Sequence, residues 1–258
     1  MLSYLQNKYV DATGLNSDQL DLTGDTDQIA QVISGFDVVI NATAFTDVNG
    51  AESNRDLAFD LNATAPEKLA KITSKHGQKL IHISTDYLFD GEKESEYETY
   101  DKPNPLNVYG ESKLAGEIAV ANNDPDALVI RTSWLYGLNG RCFPKEIHKK
   151  LQTKQSLSVV NDQFGTPTST KFLAEFCYLA ISQDFPGGIH HGVPTGSTSW
   201  FEFAKLIAKA KSSVIKPIQS SPAPGVALRP KFGQLRPHSS ISKTWQETWD
   251  EAKEDFGE

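Results

Sequence analysis

Short β-branched apolar runs stand out along the chain: Asp37-Val38-Val39-Ile40, Lys79-Leu80-Ile81-His82-Ile83, Ala127-Leu128-Val129-Ile130 and Leu157-Ser158-Val159-Val160. Near-continuous runs of this kind predict parallel strands covered on both faces. Helical patterns precede each of them. Asp25 to Ile33 leads into the first, and Ala65 to Lys75, with Pro66 in its first turn, leads into the second. Tyr109 to Val120 leads into the third and Phe143 to Gln152 into the fourth. This alternation predicts an α/β fold, a doubly wound parallel sheet.

After Gln163 the texture changes. Turn-rich pieces (FGTPTST, DFPGG, GVPTGSTS) separate two predicted helices, Thr170 to Ile181 and Thr198 to Lys209. A Pro- and Ser-rich stretch, Lys216 to Pro230, precedes a closing helix from Ser242 to Phe256. The expected division is therefore a sheet domain over residues 1–162 and a smaller, mainly helical lobe over 163–258. The start of the chain departs from the doubly wound plan, which opens with a strand, a glycine-rich turn and a helix that receives a pyrophosphate. No G-x-G-x-x-G lies near Met1; Met1 to Asn7 predicts the tail of a helix and Lys8 to Ala12 the second strand. The expectation is a sheet missing its first strand, with inner edges unpaired, and very weak dinucleotide binding by these 258 residues.

Hydrophobic residues make up 38% and charged residues 22%, the balance of an ordinary globular protein. The net charge of −8, scattered along the chain, argues against a duplex nucleic-acid partner, which calls for a basic face. No apolar run nears the roughly 20 residues that span a bilayer, and the N-terminus does not read as a signal peptide. Cys142 and Cys177 are far apart in sequence and read as reduced thiols, so the expected compartment is the cytoplasm.

Tyr109-Gly110-Glu111-Ser112-Lys113 places a phenol and an ammonium four residues apart, on one face of a helix. A lysine cation beside a tyrosine stabilises the phenolate and eases proton exchange with an alcohol or ketone. Alone this spacing recurs often. Here its neighbours are strand ends: Ile83 runs into Ser84-Thr85-Asp86-Tyr87, Ile40 into Asn41-Ala42-Thr43-Ala44-Phe45-Thr46, and Ile130 into Arg131-Thr132-Ser133-Trp134. Ligands of open α/β sheets bind outside the carboxyl ends of the strands, so these side chains converge on one crevice. His82 lies inside a strand and reads as structural. His190 and His191 follow another apparent strand without metal-ligand spacing, and no zinc site is assigned.

The series NATAFT, STDYLFDG, NPLNVYGESKLAGE, RTSWLYG and NDQFGTPT resembles the extended short-chain dehydrogenase/reductases, and within them the dTDP-4-dehydrorhamnose reductases. The likeness runs in order from Lys8 to Ile241. It implies a Rossmann-like domain with a substrate-binding lobe, and reduction of dTDP-4-dehydro-L-rhamnose by NADPH or NADH. By this resemblance Tyr109 donates the proton, Lys113 lowers its pKa and holds the nicotinamide ribose, and Thr85 polarises the keto oxygen. Asp21 and Leu22 flank the adenine, while Ala44, Phe45 and Thr46 contact the cofactor. Asp86, Trp134 and Arg236 face the substrate, Arg236 as a fork for the diphosphate.

Departures accompany the likeness. Gly140-Arg141-Cys142-Phe143 stands where relatives often carry an Asn-Phe pair, and Asn49 where an acidic residue is common. The competing reading is a non-catalytic binding relative, like the regulatory subunits of methionine adenosyltransferase; a retained Tyr109, Lys113 and Thr85 speak against it. An epimerase or 4,6-dehydratase fits STDYLFDG less well. The choice between NADPH and NADH, any Mg2+ requirement and a homodimeric state stay open at this level.

Overall fold

A computed structural model describes residues 1–8, 11–153, 156–209 and 214–256. Its helices are α1 (Leu2–Asn7), α2 (Thr26–Ile33), α3 (Val48–Ser53), α4 (Arg55–Phe59), α5 (Ala65–His76), α6 (Val108–Asn123), α7 (Phe143–Gln152), α8 (Thr170–Ser182), α9 (Trp200–Ala208) and α10 (Trp245–Ala252). The strands are β1 (Val38–Asn41), β2 (Lys79–Thr85), β3 (Leu128–Thr132), β4 (Leu135–Tyr136), β5 (Leu157–Val160), β6 (Phe164–Gly165), β7 (Thr168–Ser169), β8 (Gly188–His191), β9 (Thr198–Ser199) and β10 (Ile215–Ile218). Helix ends follow side-chain chemistry: Asp25 caps α2 through the Gln28 amide, Asn107 caps α6 through the Gly110 amide, and Gly77 at φ 67° stops α5.

The main sheet is parallel, in the order β1-β2-β3-β8. Alternate side chains enter cores on opposite faces. Leu80 and Val129 pack with Ile29, Leu69 and Val120 on one side. Ile81, Leu128 and Ile130 pack with Leu173, Phe176 and Cys177 on the other. Each fully buried aliphatic side chain contributes roughly 1.5–3 kcal/mol, which is why the apolar runs settle at the centre of the molecule.

Two expectations are corrected here. Leu157–Val160 is a strand, but it pairs with Ile215–Ile218 in a separate two-stranded parallel sheet. Ser158 is exposed between buried Leu157 and Val159, the alternation of a strand with one wet face. The fourth place in the main sheet goes to β8, so His190 and His191 lie within a strand instead of after it. One ring nitrogen of each contacts a carbonyl, His190 Nε2 that of Pro186 at 2.9 Å and His191 Nδ1 that of Arg236 at 3.0 Å. Thus β8 and α8, both beyond residue 162, belong to the sheet layer.

The remaining lobe gathers α7, α9 and α10 around Tyr136, Phe203, Trp245 and Trp249. At the N-terminus α1 is a short helix with Leu5 buried. Of the strand expected over Lys8 to Ala12, Tyr9 and Val10 lie outside the described residues, and Asp11 and Ala12 are in no strand. Among the described residues β1 therefore forms an edge of the sheet.

Helix α6 is fastened to β3 by a buried ion pair. Arg131 Nη2 and Nε donate to Glu117 Oε2 and Oε1 at 2.7 and 3.0 Å, with side-chain exposures of 2% and 5%. Truncating one partner leaves an uncompensated buried charge. Glu117→Ala is accordingly expected to cost about 3–5 kcal/mol in urea denaturation, while Glu117→Leu with Arg131→Met stays near wild type. Equal losses from the single and double variants would refute this account.

Candidate active site

The carboxyl edge of the sheet brings most of the expected residues together. β2 ends at Thr85, whose hydroxyl accepts the Tyr87 amide at 3.2 Å and lies next to the Tyr109 phenol. Asp86 follows, 2% exposed, with Oδ1 accepting from Thr85 Oγ1 at 3.2 Å. Its Oδ2 has no hydrogen-bond partner among the described residues. Gly233 leaves room there, since a Cβ at that position would come within 2.7 Å of this oxygen. Tyr87 meets Tyr109 edge-on, ring centroids 5.5 Å apart.

Tyr109 and Lys113 share a face of α6. Lys113 is buried; its Nζ donates to the Ile83 carbonyl at 2.6 Å and lies 3.4 Å from His82 Nε2. Burial lowers the Lys113 pKa to about 8, partly opposed by Glu117. The Tyr109 pKa moves upward, through burial first, offset by the Thr85 hydroxyl and reinforced by Asp86 and Tyr87. In this geometry the Lys113 ammonium turns toward β2, and burial is the largest influence on the phenol. His82 is held neutral by burial, as a structural residue would be.

The segment after β1 is positioned by a residue the sequence reading missed. Between α4 and α5 the chain makes a π-helical turn, Asp60–Thr64, a deformation frequent at functional sites. Asn62 in this turn is fully buried. Its Oδ1 accepts the Phe45 amide at 2.8 Å, and its Nδ2 donates to Phe45 O and Ser112 Oγ at 3.2 and 2.9 Å. Gly116 permits this approach, since a Cβ there would come within 2.0 Å of the Asn62 carbonyl. The available signal was a lone Asn inside an otherwise apolar helical pattern. Ala44 and Phe45 are partly buried, Phe45 against the small cluster that includes Tyr109, and Thr46 is exposed. Asp21 lies apart from Tyr109; its Oδ1 accepts the Thr23 amide and hydroxyl at 2.8 and 2.7 Å. Leu22 packs in the core and lines a hollow of about 140 Å³ beside β1, together with Asn41 and Thr43.

Trp134 sits at the β3 end with φ 47° and stacks on Trp200, centroids 3.5 Å apart. It lines a hollow with Asp86, Phe164 and Gly233. Arg236 does not join the site. It is exposed and ion-paired with Glu98 and, at 3.5 Å, with Glu96. The arginine that does line the site is Arg229. Among the described residues no three His, Cys, Asp or Glu side chains form a metal-binding group, and no helix is long and apolar enough to cross a membrane.

Comparison with known proteins identifies the family. Residues 1–256 match the family model described as the RmlD substrate binding domain. The dTDP-4-dehydrorhamnose reductase of Mycobacterium tuberculosis is 37% identical over 233 residues, covering 87% of this chain and 76% of the relative. The chain belongs to the dTDP-4-dehydrorhamnose reductase family. The Salmonella typhimurium member is 41% identical over 175 residues, 66% of this chain, and that match spans only 58% of the relative's length. The crystal structure of the Bacillus anthracis member, in complex with NADP, superposes with a TM-score of 0.90 at 32% identity, covering 98% of this chain and 92% of that one. Of the positions carried over by resemblance, Thr85 closes β2 while Tyr109 and Lys113 stand on α6, with Lys113 buried against the Ile83 carbonyl.

Burial pushes the Asp86 pKa from 3.8 up to about 7, opposed by its hydrogen bonds. The folded state therefore holds this proton more tightly than the unfolded chain. The resulting stability is full below about pH 4 and is lost as pH rises toward 7, with a slope of up to about 1.4 kcal/mol per pH unit. Asp86→Asn removes this dependence. The variant is expected to gain stability relative to wild type between pH 4.5 and 7.5 in chemical denaturation; a constant difference across that range would contradict the assignment.

Proposed function

We infer that this chain is an NAD(P)H-dependent oxidoreductase that reduces the 4-keto group of dTDP-4-dehydro-L-rhamnose to give dTDP-L-rhamnose. The observation that carries the reading is the juxtaposition of the Thr85 hydroxyl and the Tyr109 phenol at the carboxyl edge of the sheet, beside an unpartnered Asp86 oxygen. A binding protein has no need of a phenol and a hydroxyl converging on one point. Membership of a family whose Bacillus anthracis member is crystallised with NADP supports the cofactor. Compartment follows the same reading: two buried free cysteines suit a reducing cytoplasm.

The residues present fit the cofactor's nicotinamide end. Exposed Ala42 and Thr43 leave the backbone open at the end of β1, and Asn62 pins the following segment. Ala44, Phe45, Thr46 and Lys113 would hold the dinucleotide, whose chemical contribution is hydride. The chain supplies the rest. The Thr85 hydroxyl donates to the keto oxygen and stabilises developing negative charge. Tyr109 releases its proton to that oxygen, and its raised pKa keeps the phenol protonated until charge appears. Lys113 holds α6 against β2 through Ile83 and so fixes the phenol's position. Asp86 and Trp134 orient the sugar.

Turnover is to be followed as NADPH consumption with dTDP-4-dehydro-L-rhamnose. Tyr109→Phe is expected to lose about 10²–10⁴-fold in kcat, and Thr85→Val about 10²–10³-fold. Full activity in Tyr109→Phe would sink the proposed proton donor.

A further inference from the structure

A buried chain of polar contacts runs from the end of β1 to Lys113. Asn41 and His82 are register partners on β1 and β2, and Asn41 Nδ2 lies 3.1 Å from His82 Nδ1. The other ring nitrogen, Nε2, lies 3.4 Å from Lys113 Nζ, which donates to the Ile83 carbonyl at 2.6 Å. None of the three residues is more than 3% exposed. Donor and acceptor roles along this chain are fixed from one end. The Thr43 amide can only donate, and it meets Asn41 Oδ1 at 3.1 Å, with the Thr43 hydroxyl on the same oxygen at 2.6 Å. Asn41 therefore turns its NH2 to His82, and Nδ1 must accept. A ring kept neutral by burial then carries its one proton on Nε2, facing Lys113. An N–H aimed at an ammonium sets two donors face to face; only the neutral amine offers it a lone pair.

We propose that His82 is the positioning residue of Lys113: locked as its Nε2–H tautomer by Thr43 and Asn41, it draws the lysine toward β2 as the neutral amine and sets the pH above which Lys113 no longer steadies a Tyr109 phenolate. The groups around Lys113 leave this choice to His82. Glu117, one turn along α6, favours the ammonium, but it is paired with Arg131 of β3. β1 contributes the uncharged Asn41, and the Ile83 carbonyl of β2 accepts from either form of the lysine. Burial already disfavours the charged form, bringing the lysine down to about 8. In the proposed reaction the phenol that has given up its proton is steadied by a nearby cation. The site therefore works on the acid side of the Lys113 equilibrium, and a neutral histidine two strands from Thr43 decides where that side ends.

The consequence for turnover rests on the reductase reading; the tautomer and the charge of the lysine do not, and NMR reads both on the full chain without cofactor. Ring-nitrogen shifts of His82 report its tautomer. The Cε resonance of Lys113, assigned by its loss in Lys113→Met, reports protonation against pH. Wild type is expected to show the Nε2–H form and a Lys113 midpoint at about 8 or below. His82→Gln offers an oxygen in place of the ring N–H and should raise the Lys113 protonation constant about tenfold, the worth of one hydrogen bond. Asn41→Asp keeps His82 but pulls its proton to Nδ1, turning Nε2 into an acceptor for the ammonium, so the constant should rise at least as far. The alkaline limb of kcat should move up by the same interval in His82→Gln. Circular dichroism and melting establish that each variant is folded; if His82→Gln is not, Asn41→Asp decides. A wild-type Nδ1–H tautomer, a Lys113 midpoint unchanged in the folded variants, or an alkaline limb that stays while the midpoint moves overturns the proposal. A chain with the expected tautomer and titration but no turnover leaves the hold of His82 on Lys113 standing and overturns the reductase reading.

Discussion

Helix α6 meets the sheet with a polar stripe. Tyr109, Lys113 and Glu117 recur at every fourth position, so one face carries a phenol, an ammonium and a carboxylate toward β2 and β3. Groups of this kind are costly to bury unless each finds a partner. Lys113 finds the Ile83 carbonyl and Glu117 finds Arg131, which fixes both the height and the rotation of the helix on the sheet. The Thr85–Tyr109 contact is then a consequence of the register. Two glycines make the close seat possible: a Cβ at Gly110 would come within 2.2 Å of the Tyr87 carbonyl, and one at Gly116 within 2.0 Å of the Asn62 carbonyl.

Much of this architecture could be read from the chain. The first three sheet strands and α7 stand where their patterns predict, because two-sided burial and amphipathic periodicity are local signals. The placement of Thr85, Asp86 and Trp134 follows from strand ends, and that of Tyr109 from the first turn of α6. What escaped depends on partners distant in sequence. β8 hides because its two histidines are polar, and the Pro186 and Arg236 carbonyls that meet them lie outside the strand. Leu228-Arg229-Pro230 and Leu235-Arg236-Pro237 are locally alike; Glu96 and Glu98, more than a hundred residues upstream, distinguish the two arginines. Lys113 shows the same limit, since spacing places it beside Tyr109 while a carbonyl of β2 decides where its ammonium goes.

The site is assembled from segments that no single element controls. Asn62 ties the end of the β1 segment to α6, and Asn49 ties α3 to the Arg229 loop. Asn107 both caps α6 and grips that loop. Three side-chain amides thus do the positioning around the titratable groups. An amide offers a donor and an acceptor without adding charge, so the charge nearest Thr85 and Tyr109 is left to Asp86.

The stacked indoles of Trp134 and Trp200 span the seam between sheet and lobe, one at the end of β3 and the other opening α9. With their planes within 8° of parallel and in van der Waals contact, they form a built-in optical gauge. Any sliding of the lobe across the sheet must shear one ring over the other and alter their shared emission. Occupancy of the crevice is therefore open to direct observation by intrinsic fluorescence, with no label attached and no turnover required.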